Sequence, residues 1–357
     1  MRKRFIKEDV ILIGLAIFLM ISMKSILASQ VKVKDKWYYE KLDASKRLED
    51  SFKAIKEEKM RRNIKINPSI DINLTGLIGG ELTPITTTSG ALEAKRTTTN
   101  PNFAAVMIEY MKKAGLKEGD KIAVNFSGSF PAANLSVICA AEALNLKPII
   151  ISSVGASTYG ANIPEFTYQD MEYVLFKEGL ISNKSIAFSM GGAKDVGKDM
   201  ETKVASEIVK RIKGYGADFI QEEQIQDNVR KRYKIYKDHG ENIKAFINVG
   251  GNIVSTGENI ETDIKPGLLI NKNFNLNSKS GLVQMFANEN IPVIYILNIK
   301  EIAMKNGIPV DPVTIPKVGS GDIYYKKNYP VVVMIIVICI SVIVLYIYGK
   351  RTREKYD

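Results

Sequence analysis

The sequence predicts an α/β protein with a mostly parallel, Rossmann-like sheet in an extracytoplasmic domain flanked by N- and C-terminal transmembrane helices. Three observations lead there. From residue 103 onward, short apolar runs alternate with segments of helical periodicity. Several of those runs end in glycine or small polar residues. Residues 10–23 (VILIGLAIFLMISM) and 331–348 (VVVMIIVICISVIVLYIY) are unbroken apolar stretches near the two ends.

With Lys24 snorkelling, the first apolar stretch extends through Ser29, roughly the 20 residues that a bilayer-crossing helix needs. The second is preceded by Tyr329, holds Tyr346 and Tyr348 at its far end, and is followed by Lys350, Arg351, Arg353 and Lys355. Arg2, Lys3, Arg4 and Lys7 precede the first. Cations beside a span tend to stay cytoplasmic, so both termini are expected inside the cell membrane and the main domain outside it. Lys24, Lys32, Lys34, Lys36, Lys326 and Lys327 pull the other way. A cleaved signal peptide is the rival reading of the N-terminus, but Ile26 fits an A-x-A site poorly, and an uncleaved anchor is expected. The expected layout is a tail over 1–9, a span over 10–29, a helical stalk over 30–69, the α/β domain over 70–318, a linker over 319–330, a span over 331–349 and a tail over 350–357.

Of the formal charge of +11, residues 1–24 and 350–357 hold +5, which serves topology, and the remaining +6 is a mild bias for a large domain. A lipid bilayer is the expected partner and nucleic acid is not. The chain has two cysteines. Cys139 lies in the apolar stretch SVICAAEAL and Cys339 in the second span, so they should occupy different phases and form no disulfide. No His/Cys cluster offers a metal site, and no cofactor is expected.

Between the first span and the domain, Trp37, Tyr38, Leu42, Leu48, Phe52 and Ile55 recur among dense charges, and the segment reads as a stalk helix leaving the membrane and ended by Asn67-Pro68-Ser69. A helix over 103–116 is stopped by Gly115, and KIAVNF (121–126) is a buried strand. A helix over about 131–145 and the strand KPIIISS (147–153) complete a β-α-β unit, which implies parallel strands. IAFSM (186–190), a helix near 198–213, KAFINV (244–249), a helix near 279–288 and IPVIYIL (291–297) continue the pattern.

Three strand ends are candidates for a ligand crevice: Ser127-Gly128-Ser129, Ser189-Met190-Gly191-Gly192 and Gly250-Gly251-Asn252. The plain alternative is that these glycines only permit tight turns. In SGSFPAAN, Pro131 suits a first helical turn and Ser129 its cap. G-x-S-x-G is absent and the sole histidine, His239, sits in the charged segment KRYKIYKDHGEN, which argues against a Ser-His-acid hydrolase. A Ser–Lys pair using Lys95 stays open. Gly192, Gly197 and Lys198 match the core of a phosphate loop, but Asp199 replaces the Mg²⁺-ligating hydroxyl and would repel phosphates, so ATP is not expected. Asp170 and Glu172, with Glu165 nearby, are spaced two apart and do not share a helix face, which weakens an acid/base dyad. ITTTSGALEAKRTTTNP (85–101) sets hydroxyls around two cations. It reads either as ligand-binding or as an extended segment whose hydroxyls satisfy local backbone groups.

GLIGGELTPITTTSGALEAKRTTTNPNFAA (76–105), NFSGSFPAANLSV (125–137), IISSVGASTYGANIPEFTYQDME (150–172) and NVGGN (248–252) resemble the membrane family of poly-γ-glutamate system proteins. The resemblance implies an accessory role at the membrane in synthesis, export or processing of poly-γ-glutamate, with synthase and export subunits as partners. It carries over no catalytic residue. A polymer with one carboxylate per residue would suit Thr86, Thr87, Thr88, Lys95, Arg96, Asn100, Ser127, Gly128, Ser129, Gly191, Gly192, Gly250, Gly251 and Asn252, with Arg96 making the bidentate contacts. The competing expectation is a γ-glutamyl hydrolase or transferase that uses Ser127 or Ser129 with Lys95 as activator.

Overall fold

The structure is a computed structural model that describes residues 2–258 and 264–354, without the side chains of residues 2–9. The side chains of Arg2, Lys3, Arg4 and Lys7, and residue Lys355, which carry part of the orientation expectation, lie outside the described residues. In chain order the elements begin with α1 (Arg2–Ala28), β1 (Val31–Lys34), α2 (Tyr38–Arg61), β2 (Thr86–Thr88), α3 (Leu92–Thr98) and α4 (Phe103–Lys113). Next come β3 (Lys121–Ser127), α5 (Pro131–Ala143), β4 (Lys147–Ser153), β5 (Ala156–Ser157), α6 (Tyr168–Lys177), β6 (Ala187–Ser189), α7 (Thr202–Lys213), β7 (Asp218–Phe219) and α8 (Ile225–His239). The chain closes with β8 (Ile243–Val249), α9 (Ile253–Thr256), β9 (Gly267–Leu269), α10 (Leu282–Asn288), β10 (Val293–Ile296), α11 (Ile299–Lys305), β11 (Tyr325–Asn328) and α12 (Val331–Arg353).

The chain forms two units, one holding the segments up to Asp35 and from Tyr325 onward, the other Lys36–Tyr324. In the first, β1 and β11 form an antiparallel ribbon in which Val31 pairs Asn328 and Lys34 pairs Tyr325. Lys326 Nζ stands 3.0 Å from the buried carboxylate of Asp35. Val10–Ala28 and Val331–Arg353 are long and apolar enough to cross a membrane. The ribbon falls in segments read as stalk and linker, because its pairing joins opposite ends of the chain and leaves no local signal.

The second unit is built on a seven-stranded sheet of order β7-β6-β4-β3-β8-β10-β9. All neighbours are parallel except β9, which runs antiparallel to β10. β3 and β4 are buried along most of their length, as parallel strands covered on both faces must be. Side chains alternate between faces. Ala123, Ile149, Ile151 and Phe246 share one core with Val229 and Tyr236 of α8 and Phe286 of α10. On the other face Phe126 meets Tyr168 of α6 edge-on, with ring centroids 5.7 Å apart, and Phe188 packs with Ile208 and Ile212 of α7.

The segment read as a stalk is part of this second unit. α2 packs against α4, α5 and α6 and buries Ala44, Leu48, Phe52 and Ile55 at helical spacing. Lys41 of the same stripe is buried too, with Nζ 2.6 Å from Glu109 and 2.8 Å from the carbonyl of Ile323. Its dense charges therefore coat one side of a core helix rather than a free spacer. The helix expected from about 198 starts at Thr202, because Gly197–Glu201 form a turn whose Glu201 N–H bonds the Pro84 carbonyl at 3.2 Å.

Phe286 is the hub of the α8–α10 core: its ring stacks on Phe246 at 4.6 Å and meets Tyr236 at 5.9 Å and Tyr233 at 5.3 Å. Phe286→Ala should lower the unfolding free energy by about 3–5 kcal/mol through lost burial and a residual cavity, measured by urea unfolding of the detergent-solubilised chain.

Candidate functional site

The strand order reverses beside β3: β4, β6 and β7 add on one side, and β8 then returns to the other. In open parallel sheets a ligand crevice forms at the carboxyl ends of the strands at such a reversal. A cavity of about 520 Å³ lies there. The turn after β3 contributes Ser127, Ser129 and Phe130, the end of β4 Ser153 and Gly155, the turn after β6 Gly192–Asp195, and the turn after β8 Gly251–Ile253. Thr87–Gly90, Ser157 and Leu297 complete the lining. Of the residues expected to bind ligand, the cavity wall thus includes Thr87, Thr88, Ser127, Ser129, Gly192, Gly251 and Asn252.

The turns are held by close backbone packing. A Cβ on Gly128 would lie 2.4 Å from the Val154 carbonyl oxygen, so only glycine lets the β3 and β4 ends approach. Ser127 Oγ accepts the Ser129 N–H at 3.0 Å, and Ser129 Oγ accepts the Ser157 N–H at 3.0 Å. Ser129 therefore does not cap α5, whose N-cap position is Phe130 and whose first turn starts at Pro131. Gly250, at φ 96°, lets β8 turn against the Ser127 side chain.

The loop after β6 runs with positive φ at Gly191, Gly192, Lys194, Asp195 and Gly197. Two non-glycine residues among them mark stored strain of the kind concentrated at ligand-binding turns. Lys194 is exposed on the cavity wall. Asp195 is buried and receives Arg232 at 2.8 Å and the Asn228 amide at 2.9 Å. Beneath the cavity, the Asn125 amide donates to Asn248 at 2.9 Å, Ser255 at 2.7 Å and Asn252 at 3.2 Å. The phosphate-loop match is not a phosphate cradle. Asp199 Oδ1 accepts the Ala193 N–H at 3.1 Å, so a carboxylate already occupies the anion position, and Lys198 pairs with Glu223.

The threonine–cation segment divides. Thr86–Thr88 form β2, paired in parallel with β5, and only Thr87 and Thr88 of this run reach the cavity. Thr86 Oγ1 instead bonds Thr83 and the Asn162 amide. Thr97, Thr98 and Thr99 return their hydroxyls to the carbonyls of Glu93, Lys95 and Arg96. Asn100 is buried in a local turn, its Oδ1 accepting the Asn102 N–H at 3.1 Å, and is not on the wall. Gly128, Gly191 and Gly250 shape the turns without lining the cavity.

The two cations have opposite surroundings. Arg96 spends its fork on Asp311, at 2.6 and 2.7 Å, and does not line the cavity. The expected bidentate contact to a polymer carboxylate is corrected accordingly. Lys95 is 2 % exposed, and no carboxylate lies within ion-pair distance of it among the described residues. Its Nζ bonds the Ser129 carbonyl and Ser157 Oγ, the latter at 2.6 Å, and sits 3.8 Å from the Phe130 ring centroid. Burial lowers its pKa to about 7.

The acidic pair on α6 is structural. Asp170 receives Arg211 at 2.8 and 2.9 Å and Tyr215 at 2.7 Å. Glu172 accepts the Ser185 N–H at 2.7 Å, and burial pushes its pKa up to about 7. Neither lines the cavity. Cys139 and Cys339 are both free, and among the described residues no group of His, Cys, Asp and Glu could hold a metal ion.

The sequence reading overlooks Ser153, Gly155, Ser157, Asp195 and Arg232. The first three extend the rule applied to the other strand ends, since SVGAS directly follows KPIIIS and carries the same Gly/Ser signal. Arg232 had no such signal, being one cation in a basic helix. Fold and cavity define an α/β protein with a polar crevice at the sheet's reversal and two terminal apolar helices. Compared with family models, curated proteins and solved structures, the chain finds no match.

Two outcomes follow. Arg96→Ala should reduce unfolding stability by about 1–3 kcal/mol, the range for removing a charged hydrogen-bond partner, in urea titrations. For Lys95, the folded pKa of about 7 lies below the ordinary 10.5, so between these values the unfolded chain holds more protons. Its contribution makes stability rise with pH across that window, and the burial penalty is full below it. Lys95→Met should flatten that part of the rise when urea unfolding is compared from pH 7 to 10.

Proposed function

We propose that the chain is a membrane-anchored accessory component of a poly-γ-glutamate system, its α/β unit taking up a segment of the polymer in the crevice beside β3. The observation that carries this reading is the lining itself. Each γ-linked residue presents a secondary amide and a carboxylate. Hydroxyls both donate to and accept from amides, and Thr87, Thr88, Ser127, Ser129 and Ser157 supply them. Lys194, exposed on the wall, is the cation there that a carboxylate can reach, in place of Arg96, which pairs with Asp311.

The cavity volume falls in the range of small-molecule sites, which suits a short run of residues rather than a long polymer. In this reading the two apolar helices span the cell membrane with both termini cytoplasmic, and the Rossmann-like unit faces the exported product. Synthase and export subunits are its partners. The quoted motifs' resemblance to poly-γ-glutamate system proteins supports the polymer as ligand over other carboxylate-bearing amides.

Gly251 gives a direct test. It lies on the wall outside the left-handed region, and an added Cβ would meet only Leu297 at 3.5 Å, an ordinary contact, so a side chain can start there without backbone strain. Gly251→Phe should weaken binding of a fluorescent γ-linked oligoglutamate to the full-length protein in micelles at least tenfold, about 1.4 kcal/mol, in anisotropy titrations. Arg96→Ala, where folded, should bind like wild type. Undiminished binding to Gly251→Phe would place the polymer elsewhere, and no binding to wild type would remove it as the ligand.

A further inference from the structure

A buried lysine without a counter-charge is an expensive feature, since burial disfavours its charged form and nothing opposite restores it. Lys95 is such a residue, compensated only by two hydrogen bonds and the face of Phe130. The hydroxyl it touches belongs to Ser157, which lines the cavity. The hydroxyls of Ser127 and Ser129 have other partners, namely the N–H groups of Ser129 and Ser157, and neither bonds the lysine. A Cβ on Gly90, a residue of the cavity wall, would stand 2.7 Å from Ser157 Oγ and 3.3 Å from Lys95 Cε, so any larger side chain there would crowd the pair.

We propose that Ser157 is a nucleophile for acyl transfer, activated by Lys95, and that the acyl group it accepts is a γ-glutamyl carbonyl of a chain in the crevice. Lys95, as the free amine, takes the Ser157 Oγ proton while Oγ forms a bond to the carbonyl carbon. The C–N bond breaks as the ammonium returns that proton to the leaving nitrogen. A Ser157 ester remains. Water or a second amine then gives a proton to Lys95, adds to the ester carbonyl and releases the acyl group, and Ser157 Oγ regains its proton. Ser129 Oγ, which accepts from the Ser157 N–H, keeps its own proton for the developing oxyanion. Lys95 burial serves this step, because an amine that titrates near neutrality is available as a base. The γ-amide as donor rests on the polymer reading above; the nucleophile does not.

The test uses the full-length protein in micelles and a fluorophosphonate probe, with the adduct located by peptide mass spectrometry. An adduct on Ser157 is expected, lost in Ser157→Ala. Lys95→Arg, which keeps a charge and cannot act as the base, and Lys95→Met, which removes the amine, should each slow labelling at least a hundredfold, with folding checked by thermal unfolding. No adduct on Ser157 in wild type, an adduct on Ser127 or Ser129 instead, or an unchanged rate in a folded Lys95 variant would overturn the assignment. A second arm incubates wild type with γ-linked oligoglutamate and follows chain length, expecting shortening that Ser157→Ala abolishes. Unchanged length alongside retained oligoglutamate binding overturns the γ-amide as donor, whereas loss of binding itself tells against the polymer reading.

Discussion

The guanidinium of Arg232 is fully buried and bonds four side chains: Asn228 at 2.9 Å, Asn125 at 2.7 Å, Ser189 at 2.6 Å and Asp195 at 2.8 Å. Removing a guanidinium from water costs several kcal/mol unless its donor directions are met. The four acceptors come from α8 itself, the middle of β3, the end of β6 and the loop beyond it. Satisfying one side chain therefore fixes the relative position of two strands and one loop. The left-handed conformation of Lys194 and Asp195 follows from this constraint: the loop must bring a carboxylate inward to the cation. The strain and the ion pair are two sides of one arrangement.

The same network explains polar residues inside a sheet otherwise filled with isoleucine, valine and phenylalanine. Asn125 and Asn248 are register partners on β3 and β8, at the reversal, where no helix can cover the strand ends without closing the crevice. Their amides bond each other and reach Asn252 and Ser255 of the next turn, so the crevice floor is polar yet almost fully satisfied. Asn252 Nδ2, of a residue on the cavity wall, has no hydrogen-bond partner among the described residues. A floor of this kind is rigid because each group is held by another.

The alternation of apolar runs and helical segments made the central strands legible, since β3, β4, β8 and β10 are continuous buried runs bounded by glycine or polar residues. The short strands β6, β7 and β9 carry less signal, and β7 and β9 escape the pattern at two and three residues. α2 was legible as a helix but not in its place, because charge density along Tyr38–Arg61 conceals a stripe in which even Lys41 and Lys59 are buried. For the site, the cavity lies at the three turns that the strand-end glycines mark. What periodicity does not reveal is which of two adjacent cations faces a carboxylate. That depends on Asp311, more than two hundred residues downstream of Arg96.

Lys95 and Arg96 sharpen the point. On consecutive positions of α3, their side chains diverge, one to a carboxylate and the other into a pocket of carbonyl, hydroxyl and ring. Stability alone would be served at position 95 by an apolar side chain, or by an acid opposite the amine, and neither is present. Around the crevice stand a buried amine without an ion pair, two left-handed non-glycine residues and asparagines within strands. Two buried carboxylates away from it do face cations, Asp170 meeting Arg211 and Glu109 meeting Lys41. The amine of Lys95 is thus better understood by the hydroxyl it touches than by the core that surrounds it.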